Sequence, residues 1–294
     1  MRTALFRLIL PAIVVASTAT SLFAQPPQGR GGPGSELIRQ GVQLDLEAKG
    51  TEARTIFQKA IDSAPTPAAK ANAQRAMAMS WAFEGNCKKT AEYEDLVIGY
   101  WKTQEKDSPG SAFYEEGEMA NEAARVCLDN GDLNTAYELY RKGHSIGINE
   151  PDISPARKDL WDYRWEHAQA RIAARRGNKA EAEKHVEAAA AVLDDMKQKD
   201  PELYDQQARF QPYLTGYIAF YTGDYKTALE DLQKAGQNDA FIQCLIGMTY
   251  EKLGDKAKAI EVYRKAADAR AHNPPTAFAR PFSRKKLAEA QTST

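Results

Sequence analysis

Cysteine is scarce, with three in 294 residues. That is too few for a fold held together by disulfides. Histidine is nearly as rare, and His144, His167, His185 and His272 are scattered, which leaves little material for a metal centre. No His-Glu-x-x-His, Cys-x-x-Cys, phosphate-binding Gly-x-x-x-x-Gly-Lys or nucleophile-elbow pattern occurs. Neither sign of charge dominates. With 39 basic and 40 acidic side chains the formal net charge is −1, which argues against a protein built to coat nucleic acid or an anionic membrane. Long alternating runs of Val, Ile and Thr are missing, so extended sheet is disfavoured. What remains, 43% apolar and 27% charged residues, suits a soluble globular or repeat protein.

The N-terminus reads as an address. Arg2 and Arg7 precede the apolar run from Leu8 to Ala16, and small residues lead to Ser21-Leu22-Phe23-Ala24. This is the order of a secretory signal peptide over residues 1–24, cleaved after Ala24. The alternative is a retained anchor. Pro11 interrupts the run, which is shorter than the ~20 residues of a bilayer span. No other apolar run is long enough to cross a membrane, and no cysteine near the cleavage point offers lipid attachment. Residues 25–34, QPPQGRGGPG, read as a flexible linker. The expected location is the periplasm or the cell exterior.

Residues 35–294 read as helical, being rich in Ala, Leu, Glu, Lys, Gln and Arg. The strongest signal is internal repetition. Turn pairs occur at Gly85-Asn86, Gly131-Asp132, Gly177-Asn178, Gly223-Asp224 and Gly254-Asp255, the first four spaced by 46 residues and the last by 31. Glycine supplies the left-handed backbone that stops one helix, and the Asn or Asp after it starts the next. Small residues keep register with these turns. Seven before the glycine stand Ala78, Ala124, Ala170, Gly216 and Gly247; five after it, Thr90, Ala136, Ala182, Ala228 and Ala259; twelve after it, Val97, Gly143, Ala189, Ala235 and Ala266. Nine after it come Glu94, Tyr140, Val186, Leu232 and Tyr263. Small residues on paired helices permit close approach, and a larger side chain fills the gap between them. The Gly85 copy fits worst, with Lys88, Lys89 and Glu94 where others are small or apolar.

Gly216…Gly223-Asp224-Tyr225…Ala228…Leu232…Ala235 and Gly247…Tyr250…Gly254-Asp255…Ala259…Tyr263…Ala266 resemble the tetratricopeptide repeat family. A degenerate N-terminal copy is Gly41…Leu44…Ala53…Phe57…Ala60…Pro65, with its turn displaced to Lys49-Gly50. The 46-residue spacing exceeds the family's usual 34, and longer helices or loops account for the excess. Asp107 to Gly110 and Gly147 to Pro155 read as loops. The resemblance implies an all-α, right-handed superhelical solenoid of antiparallel helix pairs, five or six in number. Phe282 to Gln291 is expected to be the capping helix, wet on the side of Arg284, Lys285 and Lys286.

The resemblance also implies a non-catalytic scaffold that holds a protein or peptide segment in a concave groove, with no cofactor and no metal. Transferred by register, the groove residues are Arg125, Arg164, His167, Arg171, Arg175, Phe210, Tyr213, Tyr217, Phe220 and Tyr221. This aromatic and basic surface suits a segment with apolar anchors and acidic groups; packing between repeats is the competing role for the aromatics. Nucleic acid is not an expected partner. In a stack, the turn bearing Cys87 lies near the end of the helix bearing Cys127, so the two can form a disulfide or remain small buried thiols. Trp161, Tyr163 and Trp165 cannot share one helix face. An exported helical enzyme or carbohydrate-binding toroid is the alternative. It requires carboxylates converging in a cleft beside Trp161 or Trp165. Self-assembly through the solenoid ends also stays open.

Overall fold

The computed structural model describes residues 33–292. The signal-peptide assignment and most of the linker lie outside them. Fourteen helices and no strand occur among the described residues. They run as hairpins: α1 (Pro33–Leu46) with α2 (Gly50–Asp62), α3 (Pro67–Phe83) with α4 (Cys87–Lys102), α5 (Pro109–Asp129) with α6 (Leu133–Ile148), and α7 (Pro155–Arg175) with α8 (Lys179–Lys199). A short α9 (Pro201–Ala208) follows. Then come α10 (Gln211–Tyr221) with α11 (Tyr225–Lys234), α12 (Ala240–Lys252) with α13 (Lys256–Ala267), and the closing α14 (Pro274–Thr292). Consecutive helices pack side by side, giving an all-α solenoid. Pro33 and Gly34, assigned to the linker by sequence, already belong to α1. Gly147 belongs to α6, and Pro109-Gly110 opens α5. Among the described residues no helix is long and apolar enough to cross a membrane.

The turns follow from their residue pairs. Gly85, Gly131, Gly177, Gly223 and Gly254 all have positive φ, a region open to glycine without steric cost. In the fourth turn the Asp224 N–H bonds the Ala219 carbonyl at 2.9 Å and the Gly223 N–H bonds that of Phe220 at 3.2 Å. This satisfies carbonyls the helix end leaves free. The following Asn or Asp caps the next helix in every copy, accepting from the amides of Lys89, Thr135, Glu181, Thr227 and Lys258. The longer spacing is helix rather than loop, since α5, α7 and α8 have 21 residues each against 13 in α12 and 12 in α13.

All three columns of small residues are buried. A Cβ added at Gly216 or Gly247 would meet Leu232 or Tyr263, and one at Gly41 would meet Phe57. The small position of each first helix therefore faces the large position of its partner. Trp161 uses another notch. Its indole is fully buried, and a Cβ at Gly117 or Gly147 would overlap it. Tyr163 is buried as well. Trp165 is half-buried, with ring centroids 5.4 Å from Tyr137 and 5.6 Å from His144. All three rings thus pack within or between repeats.

The end of the solenoid departs from expectation. The closing helix starts at Pro274, well before Phe282, and its first half is not an outer cap. Pro274, Pro275, Thr276, Ala277 and Ala279 are buried, and Ala277 shares an apolar cluster with Ala78, Met79 and Ala82 of α3 and Val126 of α5. Residues ahead of α14 also reach the first hairpin. His272 Nε2 lies 2.9 Å from Asp45 Oδ2, and its ring stacks on Phe83 at 5.4 Å. Arg280 Nη2 donates to the Leu46 carbonyl at 2.8 Å. The solenoid closes on itself. Arg284 and Lys285, in the second half of α14, are exposed.

A disulfide joins Cys87 at the start of α4 to Cys127 in α5, with Cα atoms 4.7 Å apart and a sequence separation of 40. Constraining a loop of this length in the unfolded chain contributes about 2–4 kcal/mol. The double substitution Cys87→Ser with Cys127→Ser is expected to lower the unfolding free energy by that amount in urea titration, and reduction of the unsubstituted chain should give the same shift. The first hairpin has the opposite problem. Ala48 sits at φ 64° where the other turns use glycine, and the capping position holds Lys49, which makes no side-chain cap. Replacing them as Ala48→Gly with Lys49→Asn should raise stability by about 1–2 kcal/mol, read as a higher urea midpoint at unchanged slope.

Candidate functional site

Inner faces of successive first helices bring one charged and aromatic cluster together. Arg125 and Asp129 lie one turn apart on α5, and Arg125 Nε donates to Asp129 Oδ2 at 2.7 Å. From α7 come His167, Arg171 and Arg175; from α10, Tyr213, Tyr217 and Tyr221. The Arg125 guanidinium lies 4.3 Å from the Phe241 ring centroid and 5.7 Å from that of Tyr213. His167 stacks on Tyr213 at 5.7 Å. Arg171 Nη2 donates to the Tyr140 hydroxyl at 3.0 Å, and Arg175 Nη1 donates to that of Tyr221 at 3.4 Å.

Three guanidinium groups therefore converge; Arg125 is hydrogen-bonded to Asp129, Asp239 at the start of α12 adds a second negative charge near Arg125, and Arg171 and Arg175 donate to tyrosine hydroxyls. Burial, with Arg171 and Arg125 beside it, pushes His167 well below the usual histidine range, so it is neutral. Burial pushes the Tyr213 hydroxyl up, against the pull of Arg125 and Arg171. Arg171 Nη1, the Tyr213 hydroxyl and Asp129 Oδ1 are buried with no hydrogen-bond partner among the described residues. The Arg171 and Tyr213 donors, beside positive charge, match an anionic group, whereas Asp129 Oδ1 is an acceptor.

Seven of the ten residues expected in the groove meet here. Three do not. Arg164 pairs with Glu118 and donates to the Tyr114 hydroxyl at 3.0 Å. Phe210 lies at the start of α10, stacked with Arg209 at 5.0 Å. Phe220 is buried on another side of that helix, against Tyr221 and Tyr225. The expectation of open anchors is also corrected. Arg125, Arg171, Tyr213, Tyr217 and Phe220 are all buried, because Phe241 of α12 covers Arg125 and Phe278 of α14 packs on Phe241 at 5.4 Å. Asp129, Tyr140 and Phe241 were not foreseen in this cluster. The one hint was the four-residue step from Arg125 to Asp129, which lies in the turn sequence Asp129-Asn130-Gly131-Asp132.

Residues 242–273, spanning α12 and α13, match the family model described as Tetratricopeptide repeat. The match covers one helix hairpin of the chain. Among solved structures, the chain is similar to a tetratricopeptide repeat protein from Parabacteroides merdae at 13% identity and a TM-score of 0.38, over 88% of this chain and 98% of that one. It is also similar to a protein of nearly identical TPR-like repeats from Podosopora anserina at 14% identity and a TM-score of 0.35, over 87% and 95%. No curated protein matches the sequence.

The second hairpin carries a buried acidic network. Glu94 takes the place held by Tyr140, Val186, Leu232 and Tyr263 in other copies, and its buried carboxyl lies against that of Glu122. Burial, and then the neighbouring Glu122 carboxylate, push it well above the usual carboxylate range. Arg75 compensates Glu122 from α3, Nε to Oε2 at 2.9 Å. Glu118 is held by Arg164, whose guanidinium lies 5.0 Å over the Trp161 ring. Glu94, Glu115, Glu118 and Glu122 thus gather between α4 and α5, with Arg75 paired to Glu122 and Arg164 to Glu118, and the Trp161 ring is enclosed by packing. No group of three or more potential metal ligands occurs among the described residues.

Glu116, on another face of α5, is 1% exposed. Burial and the neighbouring Glu105 push it up to about 7. Its folded pKa is raised, so its contribution to stability is present below about 4.5 and is lost as pH rises toward 7. Glu116→Gln should therefore stabilise the protein at pH 8 by on the order of 1–2 kcal/mol and change little at pH 4. Thermal melts of both proteins across this range check the sign.

Proposed function

We propose that the protein is a non-catalytic interaction scaffold of the cell envelope or exterior. In this reading its inner wall holds an acidic group of a partner protein segment, with an apolar anchor beside it. The observation that carries the proposal is the Arg125–Arg171–Arg175 cluster. Three guanidiniums, one hydrogen-bonded carboxylate and an unpartnered Tyr213 hydroxyl are assembled from three repeats. A carboxylate supplied by a partner would compensate the excess charge, and the tyrosine rings would receive the neighbouring side chain. Export is supported by the charge, apolar and small-residue order of 1–24 and by the Cys87–Cys127 bond, which persists in oxidising compartments.

Binding of peptides that pair Glu or Asp with an aromatic residue tests the reading. The full chain should retain them, and neutral amide versions should be released. Tyr213→Phe, which removes only the unpartnered hydroxyl, and Arg175→Ala should each weaken retention about tenfold, which is ~1.4 kcal/mol, with melting temperature and helicity kept. Equal retention of acidic and amide peptides, or no effect of either substitution, would refute the assignment.

A further inference from the structure

The inner wall is occupied by the chain itself. We infer that the surface formed by α3, α5 and α12 is a helix-docking surface, that α14 occupies it in cis, and that it accepts a partner helix bearing α14's own pattern. That pattern is a proline pair in the first turn, alanines at 277 and 279, an aromatic residue at 278 and an arginine at 280. The inference rests on the reading of the inner wall as a partner site and supplies the way that wall opens.

The helix α14 continues the stack on α13 and α12 and also reaches across to α3 and α5. Its buried residues are concentrated in the first half, where Ala277 meets the α3 and α5 cluster and Phe278 meets Phe241. Residues 268–273 join it to α13 without helix. Pro281 lies inside α14, where it removes a backbone donor and weakens the helix on its own. Docking therefore supplies much of the order. The polar attachments are His272 to Asp45, which also accepts from Ser80 Oγ at 2.8 Å, Arg280 to the Leu46, Ala267 and Ala269 carbonyls, and Lys286 to Glu251 of α12 at 3.1 Å. Leu46 ends α1, so Arg280 clips the last helix to the first hairpin. Release of α14 removes Phe278 from Phe241, the ring that lies on Arg125. Opening this surface and exposing the arginine cluster are one event.

The test uses the full chain and a labelled peptide of residues 274–292. Arg280→Ala weakens the resident helix while the added peptide keeps its arginine, so exchange favours the peptide. The peptide should bind the Arg280→Ala chain at least tenfold more tightly than the unsubstituted chain, and a peptide carrying Arg280→Ala should not bind. In hydrogen exchange of the unsubstituted chain, amides of α14 should open with less protection than those of α7 and α8. Absence of peptide binding to the Arg280→Ala chain overturns the inference. So does exchange of α14 only together with the whole protein, or loss of helicity throughout on Arg280→Ala, since α14 would then be part of one cooperative core. Binding of a second copy through exchanged α14, seen as a dimer by mass-resolved chromatography with no gain of added peptide, also overturns it. None of these readouts uses an acidic peptide, so they stand apart from the test of the arginine cluster.

Discussion

Close approach of the two helices in each hairpin is the constraint from which the remaining structure follows. A small residue on the first helix admits a large side chain from the second, as Gly247 admits Tyr263 and Gly216 admits Leu232. That contact fixes how the two helices lie. The glycine turn with its capping Asn or Asp fixes how they are joined. Once both are set, each hairpin has an apolar face that only another hairpin can cover, and stacking follows. The apolar core accordingly forms a string of local clusters.

Most of this was legible in the sequence because it depends on local chemistry. A positive φ at the turn demands glycine, and a cap demands a short polar side chain. These leave fixed signatures at Gly85-Asn86 through Gly254-Asp255. The closing of the solenoid was not legible. It depends on contacts between residues more than two hundred positions apart, such as Asp45 with His272, and on accumulated curvature that no single repeat encodes. The binding cluster was half legible. Register placed Arg125, Arg171, Arg175 and the α10 tyrosines on inner faces. Their burial depends on α12 and α14, whose inward packing has no local signal. Phe210 fell away because it precedes the first residue of α10, and Phe220 because it lies on another side of that helix from Tyr213 and Tyr217.

Electrostatics and apolar packing meet on the inner wall. Glu94, at a position that is tyrosine, valine or leucine in other copies, lies among Arg75 and the α5 carboxylates, and the basic cluster lies farther along α5, from Arg125 to Asp129. Both groups carry desolvation costs that a purely apolar wall would avoid. Arg75 pairs with Glu122 and Arg164 with Glu118. Arg125 pairs with Asp129, with Asp239 near it. Arg171 and Arg175 donate to tyrosine hydroxyls, and in the proposed reading a partner carboxylate adds most there.

Whether the two ends of the solenoid meet is the point on which this account turns. Nuclear Overhauser contacts from the His272 ring protons to the rings of Phe57 and Phe83, recorded on the full chain, test it most directly. The structure places those ring centroids at 5.8 Å and 5.4 Å, so cross-peaks to both are expected. An intact helical spectrum in which His272 contacts neither ring would show an open solenoid and contradict the account.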